Sequence, residues 1–149
     1  MNIFLKLLVT ALVLFHPIQI HAEDVAPAGR PALQNLQDAS QKTVEVWLKF
    51  VDAGDAKNSW VVASSLLKIQ VGEEQWEKSL TSLRDVFGLA IARKLLNAQY
   101  TTTVPGAPDG QYVVMVYQTA FEKKEAALET VTLMLDSDGS WRVGGYFIQ

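Results

Sequence analysis

Residues 105–148 read PGAPDGQYVVMVYQTAFEKKEAALETVTLMLDSDGSWRVGGYFI. Three runs in this stretch, Gln111–Phe121, Leu128–Asp136 and Ser140–Ile148, are rich in Val, Tyr, Thr, Phe and Leu, which fit a half-buried pleated surface. Asp136-Ser137-Asp138-Gly139 has the side chains of a tight turn, and Glu122–Ala127 reads as a longer, charged connection. Symmetric hairpins would set Ala120 opposite Glu129, Val116 opposite Leu133 and Leu135 opposite Trp141. Because side chains alternate, Val114, Val116, Gln118, Ala120, Glu129, Val131, Leu133, Leu135, Trp141, Val143, Gly145 and Phe147 would share a core face. Met115, Tyr117, Thr119, Thr130, Thr132, Met134, Arg142, Gly144 and Tyr146 would form an amphipathic outer face.

Upstream, the apolar period lengthens to that of helices. Val44, Trp47, Leu48 and Val51 fall at i, i+3, i+4 and i+7 within a helix expected over Leu33–Asp52, and Gly54 stops it. Asp55 can cap a second helix carrying Trp60, Ala63, Ser64 and Leu67. A third starts near Glu73, where Glu73 and Glu74 suit the positive end of the helix dipole, and Trp76, Leu80, Leu83 and Phe87 line one face up to Gly88. A first strand is expected over about Lys94–Val104. Three helices followed by four strands predict an α+β fold, with the helices on one face of a curved antiparallel meander. Trp47, Trp76, Leu83, Val116, Leu133, Trp141 and Phe147 are the expected shared core.

The first residues carry a different signal. Lys6 precedes the apolar run Leu7–Phe15, Pro17 breaks it, and Ala22 offers a small residue for cleavage. This is the pattern of a secretory signal peptide over 1–22, and its apolar run is too short to cross a bilayer comfortably. Residues 23–36, with Pro27, Gly29 and Pro31, read as a flexible leader, and 37–149 as one α+β domain. The expected location is therefore the periplasm or beyond, with no stable membrane anchor after cleavage.

Cleavage would remove chemistry as well as length. The chain has two His, at His16 and His21, and no Cys. A chain starting at Glu23 has neither imidazole nor thiol. It cannot build a Ser-His-Asp triad, a Cys-His pair or a His-ligated metal site by itself. No metal-ligand cluster or phosphate-cradling loop is apparent, so neither a metal nor a cofactor is expected. Loss of Lys6 takes the formal net charge from −3 to −4. Dispersed, mildly acidic charge does not suit nucleic acid, which is not an expected partner.

A set of local patterns resembles a known family. They are Trp47-Leu48-x-x-Val51-Asp52, Ser59-Trp60, Glu74-Gln75-Trp76, Arg84 near Gly88, Arg93 and Tyr100-Thr101-Thr102. They continue through Pro105–Tyr112, Thr119-x-Phe121-x-x-Lys124, Glu129-Thr130-Val131 and Asp138-Gly139-x-Trp141-Arg142-Val143-x-Gly145-Tyr146. From about Ala39 to Ile148 the chain resembles the bacterial Domain of Unknown Function 4019 family. That resemblance implies an exported bacterial protein and, by fold analogy, a cystatin-like or nuclear-transport-factor-like cone. It implies no activity.

Glu129 is the residue in which chemistry would concentrate, because its phase buries it and buried carboxylates are rare unless paired. One reading pairs it with Lys124, Arg84 or Arg93 as a structural tie. The other places it at the mouth of an internal pocket beside Gln118, as the base of a small enzyme or in a small-molecule carrier. Arg93 and Arg84 are also candidates for an anionic ligand. Met115, Tyr117, Thr132, Met134, Arg142 and Tyr146 are candidate interface residues on the outer sheet face, where two copies could pair. The favoured function is an exported, non-enzymatic binding or protein-interaction module.

Overall fold

The computed structural model describes residues 29–149, with side-chain surroundings from residue 35 onward. The expected signal peptide and residues 23–28 of the expected leader lie outside the described residues. Helix α1 spans Gly29–Asp52, α2 Ala56–Val61, α3 Ser65–Gln70 and α4 Glu73–Phe87. Strands β1 (Ala90–Thr101), β2 (Tyr112–Phe121), β3 (Lys124–Leu135) and β4 (Trp141–Ile148) form one antiparallel sheet in sequence order. The α+β class and the helices-then-strands order are as read from the sequence, and the sheet is open rather than closed into a barrel.

The helices differ from the expectation at two places. Residues 29–32, upstream of the expected helix, belong to α1, and Pro31 is tolerated there because it sits in the first turn, where no N–H is required. The single helix expected after Asp55 is two short ones. Asp55 caps α2 by accepting from the Asn58 backbone N–H, and Ser64 caps α3 by accepting from that of Leu67. The break arises because the Ser64 N–H donates to the Val143 carbonyl at 2.9 Å, so the sheet draws the backbone off its helical path. Helix α1 buries Ser40, Val44, Trp47, Leu48 and Val51, and α4 buries Trp76 and Leu80. Gly54 and Gly88 end these two helices at φ +72° and +74°, where a side chain would be strained.

Strand β1 begins earlier than expected, and its alternation is hidden by bulges at Ala90/Ala92 and Leu95/Asn97. Between the strand's two end residues, Arg93, Leu95, Ala98 and Tyr100 are the half-buried positions, at spacings of two, three and two. That broken period is why Leu89–Leu96 is compatible with helix on paper.

The β2–β3 hairpin overturns the expected register. Its turn is Glu122-Lys123, so Phe121 pairs with Lys124, and Tyr117, not Ala120, stands opposite Glu129. The turn is pinned from outside: the Glu122 and Lys123 N–H groups donate to the Leu89 and Phe87 carbonyls. A register change of an odd number of residues exchanges faces. The core residues of β2 are therefore Val113, Met115, Tyr117, Thr119 and Phe121. Val116 and Ala120 are half-buried on the other face, and Gln118 is exposed there. The core phase of β3, through Glu129, Val131 and Leu133, is as expected.

The β3–β4 hairpin pairs Leu135 with Trp141 as predicted, then departs at Thr132/Leu133, where Gly144 is the extra residue of a bulge. The slip turns Tyr146 and Ile148 inward and leaves Phe147 54 % exposed. Of the expected core, Trp47, Trp76 and Leu133 are buried together, and Trp141 packs half-buried against them. Leu83 joins a smaller cluster with Phe121, Ala127 and Ile148.

Candidate functional site

Trp47 and Trp76 pack with ring centroids 5.9 Å apart, and Tyr146 meets both edge-on at 5.2 and 6.4 Å. Both indoles are satisfied by one residue. Trp47 Nε1 donates to the Ser59 carbonyl and Trp76 Nε1 to Ser59 Oγ, at 2.8 and 2.9 Å. The aromatic group fixes the Tyr146 ring with its hydroxyl directed at β3, where Glu129 lies.

Glu129 has a 0 % exposed side chain and accepts four hydrogen bonds. Its Oε2 accepts from Arg93 Nε at 2.5 Å and Thr119 Oγ1 at 2.7 Å. Its Oε1 accepts from Arg93 Nη2 at 3.0 Å and the Tyr146 hydroxyl at 2.6 Å. A carboxylate offers about four lone-pair positions, and all are used. Arg93 turns its other edge to Asp52, donating from Nη1 and Nη2 at 2.6 and 2.7 Å. Asp52 is 36 % exposed and Arg93 17 %. The network thus takes one side chain from α1 and one from each of the four strands.

Electrostatics follow this geometry. Burial works to lower the Arg93 pKa, but the Asp52 and Glu129 hydrogen bonds and charges outweigh it and hold the guanidinium above its ordinary value. Burial, then the Glu129 charge, drive the Tyr146 phenol above its usual range, so it stays a protonated donor. Tyr117 is pushed up to about 12, by burial first and then by the charges of Glu45 and Glu129.

Of the two readings of Glu129, the ion pair is the arrangement found, and Arg93 is the partner. Arg84 is elsewhere: its guanidinium donates to the Val51 and Asp52 carbonyls at 2.6 and 3.0 Å and to that of Gly88 at 3.2 Å. It closes the ends of α1 and α4 and presents no free edge at Glu129. Gln118, exposed on the opposite sheet face against Lys94 and Leu128, is not beside Glu129. The inward turn of β2 and the Gly144 bulge also remove Met115, Tyr117 and Tyr146 from the outer face. They are core residues at 0 % and 4 % exposure and a network donor, respectively. Thr132 and Met134 keep half-buried outward positions, and Arg142 donates to Asp136 and Asp138.

Asp52, Thr119 and Tyr146 are the network members that periodicity missed. A helix-end Asp and two strand residues assigned to the wrong face gave no local signal, although all three stand in the patterns that carry the family resemblance. Beyond the network, Asp52 and Arg93 edge a cleft of about 340 Å³ between α1 and the sheet, with Glu45, Lys49, Leu95 and Tyr117 around it. Glu129 itself has no accessible surface from which to reach a bound molecule.

A family model described as "Protein of unknown function (DUF4019)" matches residues 43–146, which takes in all five members of the network. No curated protein and no solved structure matches the chain.

Proposed function

The chain belongs to the DUF4019 family of proteins of unknown function, and from its side chains we propose that it is an exported, non-enzymatic binding module. The observation that carries this reading is the state of Glu129. It is wholly enclosed and fully hydrogen-bonded, so no lone pair is left to accept a proton from a substrate. Its service is mechanical, holding four strands and the end of α1 in one register. A frame held this way presents a constant outer surface, which is what a binding module requires.

Export is supported by Lys6, the apolar run Leu7–Phe15 and Ala22. Pairing of two copies would use the outer sheet face in its corrected composition, with Leu128 and Phe147 exposed at 41 % and 54 % beside half-buried Val116, Thr132 and Met134. Purification of the native protein from a periplasmic extract, with mass spectrometry of everything bound, tests the reading. A stoichiometric protein or small-molecule companion is expected. Turnover of any copurifying compound that is lost in Glu129→Gln, with the fold intact, would overturn it.

A further inference from the structure

We propose that the groove between α1 and the α2–α3 junction binds a linear apolar chain ending in a carboxylate, the fatty-carboxylate class. The inference deepens the binding-module reading and rests on it. The groove is open to solvent along one side and offers about 440 Å³, within the range of small-ligand sites. Trp47 and Val143 underlie it, Val46, Phe50 and Val62 form its walls, and Lys42 stands at one end. Lys42, Val46 and Phe50 are successive i, i+4 positions on one side of α1, so the row runs about 12 Å along the helix axis.

Among the described residues nothing covers this groove. The Ser64–Val143 backbone bond ties the α2–α3 break to β4, and Val62 lies at that break. Val46 and Val62 remain 54 % and 42 % exposed, facing a common space. The polar groups are few. The Thr43 hydroxyl is committed to the Ala39 carbonyl at 3.2 Å. Among the described residues no carboxylate stands within ion-pair distance of Lys42, and the nearby Glu45 accepts from Gln41. An ammonium with no carboxylate partner among the described residues, at the end of an apolar slot, complements an anionic head followed by an apolar tail. An uncharged chain would leave Lys42 unused, and a cationic one would be repelled by it.

Trp47 beneath the groove supplies the readout. Titration with a terminally brominated undecanoate is expected to quench tryptophan fluorescence saturably at one site per chain, and decanoate should reverse the quenching by competition. Val46→Glu, a surface change on a helix whose fold circular dichroism can verify, should abolish the quenching. Lys42→Glu should weaken binding about tenfold by turning an attraction into a repulsion, while Lys42→Arg should retain it. Four results would overturn the inference: no saturable quenching; quenching unchanged in Val46→Glu; a decyl ammonium competing as well as decanoate; or association with phosphatidylglycerol vesicles but not with the monomeric acid. If native purification returns a protein companion and the titration shows no quenching, the groove assignment fails and the binding module stands. Conversion of decanoate to a product would sink the module reading and leave the groove.

Discussion

Replacing Arg93 with Met tests the network most directly. Met keeps much of the side-chain volume but removes every donor that Arg93 supplies. Glu129, with 0 % side-chain exposure, would retain only the Thr119 and Tyr146 hydroxyls, and Asp52 would face it with no cation between them. Removing one partner of a buried ion pair costs about 3–5 kcal/mol, a large share of the roughly 5–15 kcal/mol that holds a domain of this kind together. Glu129→Gln in the wild-type background should be milder. Its amide N–H would best replace Oε1, where Arg93 Nη2 stands at 3.0 Å, because the Nε contact at 2.5 Å leaves no room for two donors. The loss is then one charge-assisted hydrogen bond, about 1.5–3 kcal/mol. In the Arg93→Met background the sign should reverse. Glu129→Gln would remove an uncompensated buried charge, and the two hydroxyls can rotate to donate or accept, so the double variant should exceed Arg93→Met in stability by about 1 kcal/mol or more. Urea unfolding of the four proteins measures this as midpoints at constant slope. An Arg93→Met cost below about 1 kcal/mol, or the same sign for Glu129→Gln in both backgrounds, would refute the reasoning.

Three further outcomes are expected. N-terminal sequencing of the protein from a periplasmic extract should begin at Glu23, and recovery from the cytosol with Met1 intact would contradict export. Gly88→Ala should destabilise by about 2 kcal/mol or more in thermal unfolding, since φ is +74° and the added Cβ would lie 2.7 Å from Glu122 Oε2 and 2.8 Å from Glu122 Cβ; an unchanged melting temperature would show that the turn relaxes freely. Tyr117 has a folded pKa raised to about 12, so its neutral form is favoured in the folded state. Its contribution is full below the ordinary phenol value of about 10 and is lost as pH rises towards the folded value. Stability measured from pH 9 to 11 should therefore fall less steeply in Tyr117→Phe, and parallel curves would count against a buried phenol.

The α+β class, the order of helices before strands and the burial of Glu129 were legible in the amino-acid sequence, because they follow from local period. Apolar spacings of three and four mark α1 and α4, and alternation marks β3, whether or not their partners are known. Capping at Asp55, the first-turn acids of α4 and the Gly54 and Gly88 stops are likewise local chemistry. The facing of β2 and the end of β4 was not local. A six-residue charged connection and a two-residue turn are equally compatible with Glu122–Ala127, and the backbone of Phe87 and Leu89 selects the shorter one. Gly144 can sit in a regular ladder or a bulge, and only the pairing with Thr132 and Leu133 places it in a bulge. Each choice carries an odd-numbered slip, and an odd slip sends a side chain to the opposite face. For that reason the sequence alone indicated a buried acid, either tied to Lys124, Arg84 or Arg93 or set at a pocket beside Gln118. The tertiary structure decided that the acid is paired, that Arg93 is its cation, that Asp52, Thr119 and Tyr146 complete the network, and that Gln118 and Arg84 do not.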